Sequence, residues 1–350
     1  MADAPRYLLR PAALADLTGL ERLAGASAIG ISSLPADREA LRERIIRSQH
    51  SFADGDEPDA HYLFVLEDRQ QAGALVGTAG IAARAGAGDR FYSYRNEFTV
   101  HASPALGARN RIHTLHLCHD LTGATVLTGF HIDPAHEAGP GAQLLSRGRL
   151  LFIASFPERF TDRIVSEHPG LADESGACPF WDAVGRRFFH LDYPAAERLA
   201  SGQGRAFLAE LLPQSPIYVP LLDEATQWAL GQLHPVAERP FSILLDEGFD
   251  ADTWLNVFDG GPTMEARLPM LKTARRLRSV GVLPPAPRAT RGGHATHLAA
   301  GRRLQHWRAT LLELDATAPA VALRDDEAAL LGLSVGDSLC VAALDGPDGV

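Results

Sequence analysis

Lysine is almost missing from this chain: Lys272 is the single one, and arginine supplies the rest of the 33 basic residues, against 43 acidic ones. With a formal net charge of −10, nucleic acid is excluded as the main partner, because neutralising phosphates takes clustered basic side chains. Long apolar runs are missing as well. No segment reaches the roughly 18 uninterrupted apolar residues of a membrane span. The opening stretch MADAPRYLLRPAALADL has neither an apolar h-region nor a small-residue cleavage site, so a cytoplasmic protein without a membrane partner is expected. Cysteine is scarce too. Cys118, Cys178 and Cys340 are odd in number, far apart and without a CxxC pair, which predicts reduced thiols rather than a disulfide framework.

What is present is an ordinary globular composition, 46% apolar and 22% charged over 350 residues, long enough for more than one packed unit. YLLRP followed by AALADLTGLERLAG reads as a strand feeding an amphipathic helix, and residues 39–50 give a second helix. HYLFVLED and ALVGTAGIAARAG predict a hairpin across the polar turn at Arg69–Gly73. RIHTLHLCHD and ATVLTGFHID predict a second antiparallel pair, joined at Leu121–Thr122–Gly123. A Gly-Pro-Gly turn then opens an apolar helix, followed by a strand around DRIVSE and helices at WDAVGRRFF and FSILLDEGF. Pro, Gly and Arg crowd residues 282–303, which suggests a core over 1–285, with a further break near residue 200, and a linker and small β-rich unit over 286–350.

The spacing of His113, His116 and His119 around Cys118 invites a metal-site reading. A site needs three or four ligand atoms converging at about 2 Å. On a strand, His113 and His119 share a face but lie roughly 20 Å apart, and His116 points to the other side. No metal is expected there.

The stretch GFHIDPAHEAGPGAQLL is more informative. A strand ends at a D-P step, and a loop with Gly139 and Gly141 runs straight into a helix. Backbone N–H groups at such a helix start suit a pyrophosphate. The element order resembles the GNAT acyl-CoA transferase fold, so the expected class is mixed α/β (α+β) with a GNAT-like core. Its phosphate loop has the form [RQ]xxGx[GA]; here both glycines are kept, His136 replaces the first residue, and Pro140 removes one N–H donor.

The segments ISSLPAD, YLFVLED, FYSYRNE, VHAS, CHDLTG, LLSRGRLLF, PFWDAVGRRFF, FLAELLPQSPIYVPLL, GQLHP and FDGGPT, running to about residue 280, resemble the arginine N-succinyltransferase family. FYSYRNE and RIHTLHLCHDLTG are most similar to the alpha subunit of its arginine/ornithine form. The resemblance implies succinyl transfer from succinyl-CoA, a co-substrate rather than a bound cofactor, to the α-amine of L-arginine or ornithine, with a paralogous beta subunit or a second copy as partner. It also implies that His234 of GQLHP moves the proton, a task suited to imidazole near neutral pH. Phe130 falls on the family's succinyl-CoA contact, where exposed amides can bind the thioester oxygen. Arg95 is the candidate for the succinyl carboxylate.

Two positions depart from the single-subunit pattern: Val126 stands where Glu is expected and Pro169 where Arg is expected. Candidate acids for the basic substrate are Glu97, Asp120, Asp133 and Glu167. The departures leave an alternative, a non-catalytic or regulatory subunit beside a catalytic beta paralogue.

Overall fold

The computed structural model describes residues 4–26, 37–53, 57, 59–203, 205–285, 295–315 and 319–344. Most of ISSLPAD and the Pro-, Gly- and Arg-rich stretch 286–294 lie outside the described residues. Among the described residues, fifteen strands join one sheet. They are β1 (Tyr7–Pro11), β2 (His61–Asp68), β3 (Ala74–Ala82), β4 (Ser93–Ser103), β5 (Ala108–Cys118), β6 (Thr125–Ile132), β7 (Arg163–Glu167) and β8 (Ile217–Tyr218). The rest are β9 (Asp250–Leu255), β10 (Pro262–Arg267), β11 (Arg278–Leu283), β12 (Ala295–Gly301), β13 (Ala309–Leu314), β14 (Ala320–Ala322) and β15 (Ser338–Ala343). Laterally the order is β14-β11-β15-β12-β13-β1-β2-β3-β6-β7-β10-β9-β4-β5-β8.

The central strands are apolar on both faces, since successive side chains alternate sides. Leu63 and Val65 of β2 pack with Leu20 and Ile45 from the helices Leu17–Gly25 and Arg38–Ala53. Phe64 and Leu66 look the other way and join Leu144, Leu151 and Phe152 of the helix Pro140–Ser155. That helix is the most enclosed segment, with thirteen of its residues buried. Gly141 lets it sit against β1: a Cβ there would lie 3.2 Å from the Tyr7 ring.

The β2–β3 hairpin, the helix from Gly-Pro-Gly and the strand at DRIVSE are as the sequence predicts. The mixed α/β class is as expected as well, with β6 leading through a loop and a helix into the parallel strand β7. The predicted pairing of RIHTLHLCHD with ATVLTGFHID is not what the chain does. β5 pairs instead with β4 along its whole length, and β6 lies between β3 and β7. The cause is the turn: the Gly123 N–H bonds the Ala85 carbonyl at 2.8 Å, and the Ala85 N–H bonds the Ala124 carbonyl at 2.7 Å. These bonds tie the start of β6 to the end of β3 and carry it away from β5.

No described helix is long and apolar enough to cross a membrane. All three cysteines are free thiols. The three histidines of β5 and its end have separate neighbours: His113 reaches Asn96, His116 lies 3.5 Å from Glu97, and His119 stands edge-on to Tyr92.

Candidate active site

The parallel pair β6 and β7 separates part-way along. Register runs Thr125↔Ile164, Val126↔Val165 and Leu127↔Ser166 and then stops, while β6 continues to Ile132. On its other side, β6 carries a bulge against β3 between Thr78 and Gly80, and Gly129 has φ 55, a left-handed conformation that glycine adopts without a Cβ penalty. Beyond Leu127 the backbone of β6 therefore has no strand partner on the β7 side. A cleft of about 350 Å³ opens there, lined by Val126–Phe130 from β6 and by Ser166–Pro169 at the end of β7 and just after it. It lies at the carboxyl ends of two parallel strands, the usual place for a ligand in an α/β sheet.

Three segments remote in sequence close the β7 side. The His168 N–H bonds the Pro262 carbonyl at 3.0 Å, the Gly231 N–H bonds the Gly260 carbonyl at 2.9 Å, and the His234 N–H bonds the Pro169 carbonyl at 2.9 Å. EHPG, GQLHP and FDGGPT are thus knotted backbone to backbone. Glycine is required in the knot, since a Cβ on Gly170 would lie 2.6 Å from the Asp259 carbonyl and one on Gly261 2.4 Å from the Gly170 nitrogen.

The cleft is rich in charge that burial has displaced from its ordinary state. Glu167 forms a two-pronged ion pair with Arg205 at 2.8 and 2.7 Å. The Tyr193 hydroxyl lies between two carboxyls, 3.0 Å from Glu197 Oε1 and 3.1 Å from Asp259 Oδ2. Burial, then the Asp259 charge, pushes Glu197 up to about 8. Burial likewise raises Asp259 to about 6, against the pull of the Gly170 and Gly261 amides. The lining also holds Arg149, lowered by burial to about 9, and Arg44, lowered by burial and then by Arg47 to about 10. His168 is held neutral, lowered to about 3 by burial and then by Arg149.

A model of arginine N-succinyltransferase, described as its beta subunit, matches residues 7–273. The chain is 46% identical to arginine N-succinyltransferase subunit alpha of Pseudomonas aeruginosa over 344 residues, covering 96% of this chain and 99% of that one. The chain belongs to the arginine N-succinyltransferase family. It is accordingly an acyltransferase. It is also 35% identical to the arginine N-succinyltransferase of an Enterobacter species, over 96% of this chain and 97% of that one. The solved structure of arginine/ornithine succinyltransferase subunit AI from Pseudomonas aeruginosa superposes with a TM-score of 0.87 at 43% identity, covering 98% of this chain and all of that one.

The residues that the family resemblance singles out are only partly brought together. Phe130 lines the cleft, with the Arg149 guanidinium 5.5 Å from its ring centre. His234 is half-buried beside the lining residues Val236 and Ala237, and its Nδ1 accepts the Val236 N–H at 3.3 Å. With Nδ1 so occupied, the neutral ring carries its proton on Nε2; burial lowers its pKa. Gly139 precedes and Gly141 opens the helix Pro140–Ser155, outside the cleft lining. His136 beside them turns inward, its Nδ1 3.0 Å from the Tyr7 hydroxyl. Arg95 does not line the cleft; it is engaged by Glu97 and by Asp120 at 2.9 Å.

Both departures, Val126 and Pro169, fall in the cleft lining. Of the candidate acids only Glu167 is there; Glu97 and Asp120 hold Arg95, and Asp133 pairs with Arg22. Arg149, Glu197, Arg205 and His168 were not anticipated. The one available signal was LLSRGRLLF, where two arginines interrupt an otherwise apolar helix. Glu197 and Arg205 stand in unremarkable stretches.

Proposed function

We propose that the cleft between β6 and β7 transfers the succinyl group of succinyl-CoA to the α-amine of L-arginine, with His234 as the proton carrier. The observation that carries this is the knot of EHPG, GQLHP and FDGGPT at the open end of the parallel strand pair. It brings the histidine of GQLHP to the side of a cleft where β6 has no strand partner on its β7 side.

The amine attacks the thioester carbon and a C–N bond forms. The carbonyl oxygen gains charge, which N–H groups of β6 near Phe130 can hold without reorganising. The C–S bond then breaks. The proton lost by the amine and the one gained by the sulfur balance, with the Nε2 side of His234 passing them. A neutral imidazole suits that work near pH 7. The pyrophosphate of the co-substrate is assigned to the backbone at Gly139 and Gly141, with His136 serving packing instead. Arginine is a cation with a carboxylate, and the cleft lining offers both carboxyls and guanidinium groups. The non-catalytic alternative is not favoured by a chain that matches enzyme relatives over 96% of its length.

The names of the Pseudomonas proteins as subunits support a paralogous partner chain, and ornithine is a second acceptor to try. A cytoplasmic location is kept as part of the proposal. Purified chain, with and without a paralogous subunit, is given succinyl-CoA and arginine while free thiol release is followed. His234→Ala is expected to lower kcat by roughly 100- to 10,000-fold while binding of coenzyme A is retained. Undiminished turnover in that variant would remove His234 from the reaction.

A further inference from the structure

Arg149 is the anomaly of this cleft. It is 1% exposed, yet among the described residues no carboxylate pairs with it. Its hydrogen bonds are all long: 3.4 Å to the Ser146 carbonyl, 3.4 Å to the Ser146 hydroxyl and 3.5 Å to the Thr128 carbonyl. A buried guanidinium has five N–H donors in a planar fork, and leaving such a charge uncompensated in a protein interior is strongly unfavourable. A second buried group at the same place is also unsatisfied. His168 is 4% exposed, lines the cleft with Arg149, and its Nε2 has no hydrogen-bond partner.

We infer that Arg149, assisted by His168, is the carboxylate-binding site of the cleft and that its ligand is the distal carboxylate of the succinyl group. The inference rests on the acyl-transfer reading above. Two donors of the guanidinium fork would meet two carboxylate oxygens, and the imidazole, in its Nε2–H tautomer, would donate a third bond. The position fits an acyl tail: Arg149 reaches the Thr128 carbonyl and the Phe130 ring, the stretch of β6 to which the thioester is assigned. Arg95, the candidate read from the sequence, already has two carboxylates and leaves this role open. The same chemistry could instead serve the α-carboxylate of the amino acid, and the experiment separates the two sources.

Four rates are compared in wild type and in Arg149→Met: succinyl-CoA against butyryl-CoA, which keeps the four-carbon chain and lacks the carboxylate, and arginine against agmatine, which lacks the α-carboxylate. Arg149→Met is expected to lower kcat/KM for succinyl-CoA about 100-fold, to leave butyryl-CoA within about threefold, and to leave the arginine-to-agmatine ratio unchanged. His168→Phe is expected to shift the same donor ratio in the same direction by about tenfold. Coenzyme A affinity, which involves no carboxylate, should be unaltered in both, and this also reports folding. An unchanged donor ratio overturns the inference, and so does a collapse of the arginine-to-agmatine ratio with the donor ratio intact. If Arg149→Met does not fold, wild type decides: succinamate with coenzyme A must raise the melting temperature more than butyramide with coenzyme A, since the two differ only in the distal carboxylate, and equal shifts overturn the inference. Wild type that turns over no succinyl-CoA and arginine, alone or with the partner subunit, would defeat the acyl-transfer reading itself, a distinct outcome.

Discussion

Two buried arginines stand two residues apart on the helix Pro140–Ser155, and the regions they face treat charge in opposite ways. Arg147 looks toward the end of the helix Glu238–Glu247, where it meets two carboxylates. It contacts Asp246 and lies 3.0 Å from Glu247 Oε1; Lys272 holds Asp246 at 2.7 Å, and Glu247 receives the Thr273 N–H at 2.9 Å and its hydroxyl at 2.8 Å. Arg149 looks into the cleft and has only long bonds to uncharged groups. The difference separates structure from function. A buried charge that is closed on itself holds two elements together, whereas one left open is held ready for something that arrives later.

The largest expected effect breaks this comparison at its structural end. Arg147→Met leaves Glu247, 1% exposed, without its cation, and removing one partner of a buried ion pair costs about 3–5 kcal/mol. Arg149→Met removes a charge that has no ionic partner and should change stability by less than about 1 kcal/mol, or raise it. Urea unfolding of the two variants gives the test. Equal losses would show that Arg149 also has a structural partner and would undo the contrast.

A smaller effect comes from the displaced carboxyls of the cleft. Glu197, up at about 8, binds its proton more tightly folded than unfolded, where a value near 4.5 applies. The folded chain therefore carries the extra proton between those values, and stability falls as pH rises through that window. Asp259, up at about 6, adds a loss of the same sign at lower pH. His168 acts oppositely below about 6.5, because a neutral buried imidazole is protonated more readily once unfolded. From pH 6.5 to 8.5 the urea midpoint of wild type is expected to decline, and Glu197→Gln, which titrates nothing, should flatten that decline. Equal slopes in the two proteins would refute the assignment to Glu197.

How far the sequence reaches can be judged at particular residues. The β2–β3 hairpin and the helix at Pro140 are legible because their signals are local: apolar alternation on either side of Arg69–Gly73, and Gly-Pro-Gly before an apolar run. The mistaken β5–β6 pairing has a local signal too, the turn at Gly123, but bonds to Ala85, almost forty positions earlier, overrule it. The site divides along the same line. GQLHP and FDGGPT stand out as motifs, yet that Gly231 and Gly260 bond each other is a tertiary fact that no spacing encodes. Arg149 was visible as a charge inside an apolar helix; its lack of a carboxylate was not, since Arg147, two residues away, carries the same local signal and has two.

The smallest expected effect concerns Arg95, the arginine that the sequence favoured for the succinyl carboxylate. Its guanidinium bridges Glu97 and Asp120 on the partly exposed surface of β4, and such pairs contribute about 0.2–1 kcal/mol because solvent screens them. Arg95→Met should therefore lower stability by no more than that. Its KM for succinyl-CoA should stay within about twofold of wild type, since the change leaves the cleft lining untouched. Salt decides the nature of the loss: raising ionic strength should shrink the stability gap between wild type and Arg95→Met, as screening weakens an exposed pair. A selective rise in KM for succinyl-CoA over butyryl-CoA in this variant would instead move the carboxylate site from the buried arginine to the exposed one. Exposure argues against that, because an arginine already neutralised by two carboxylates must break those pairs to take a third.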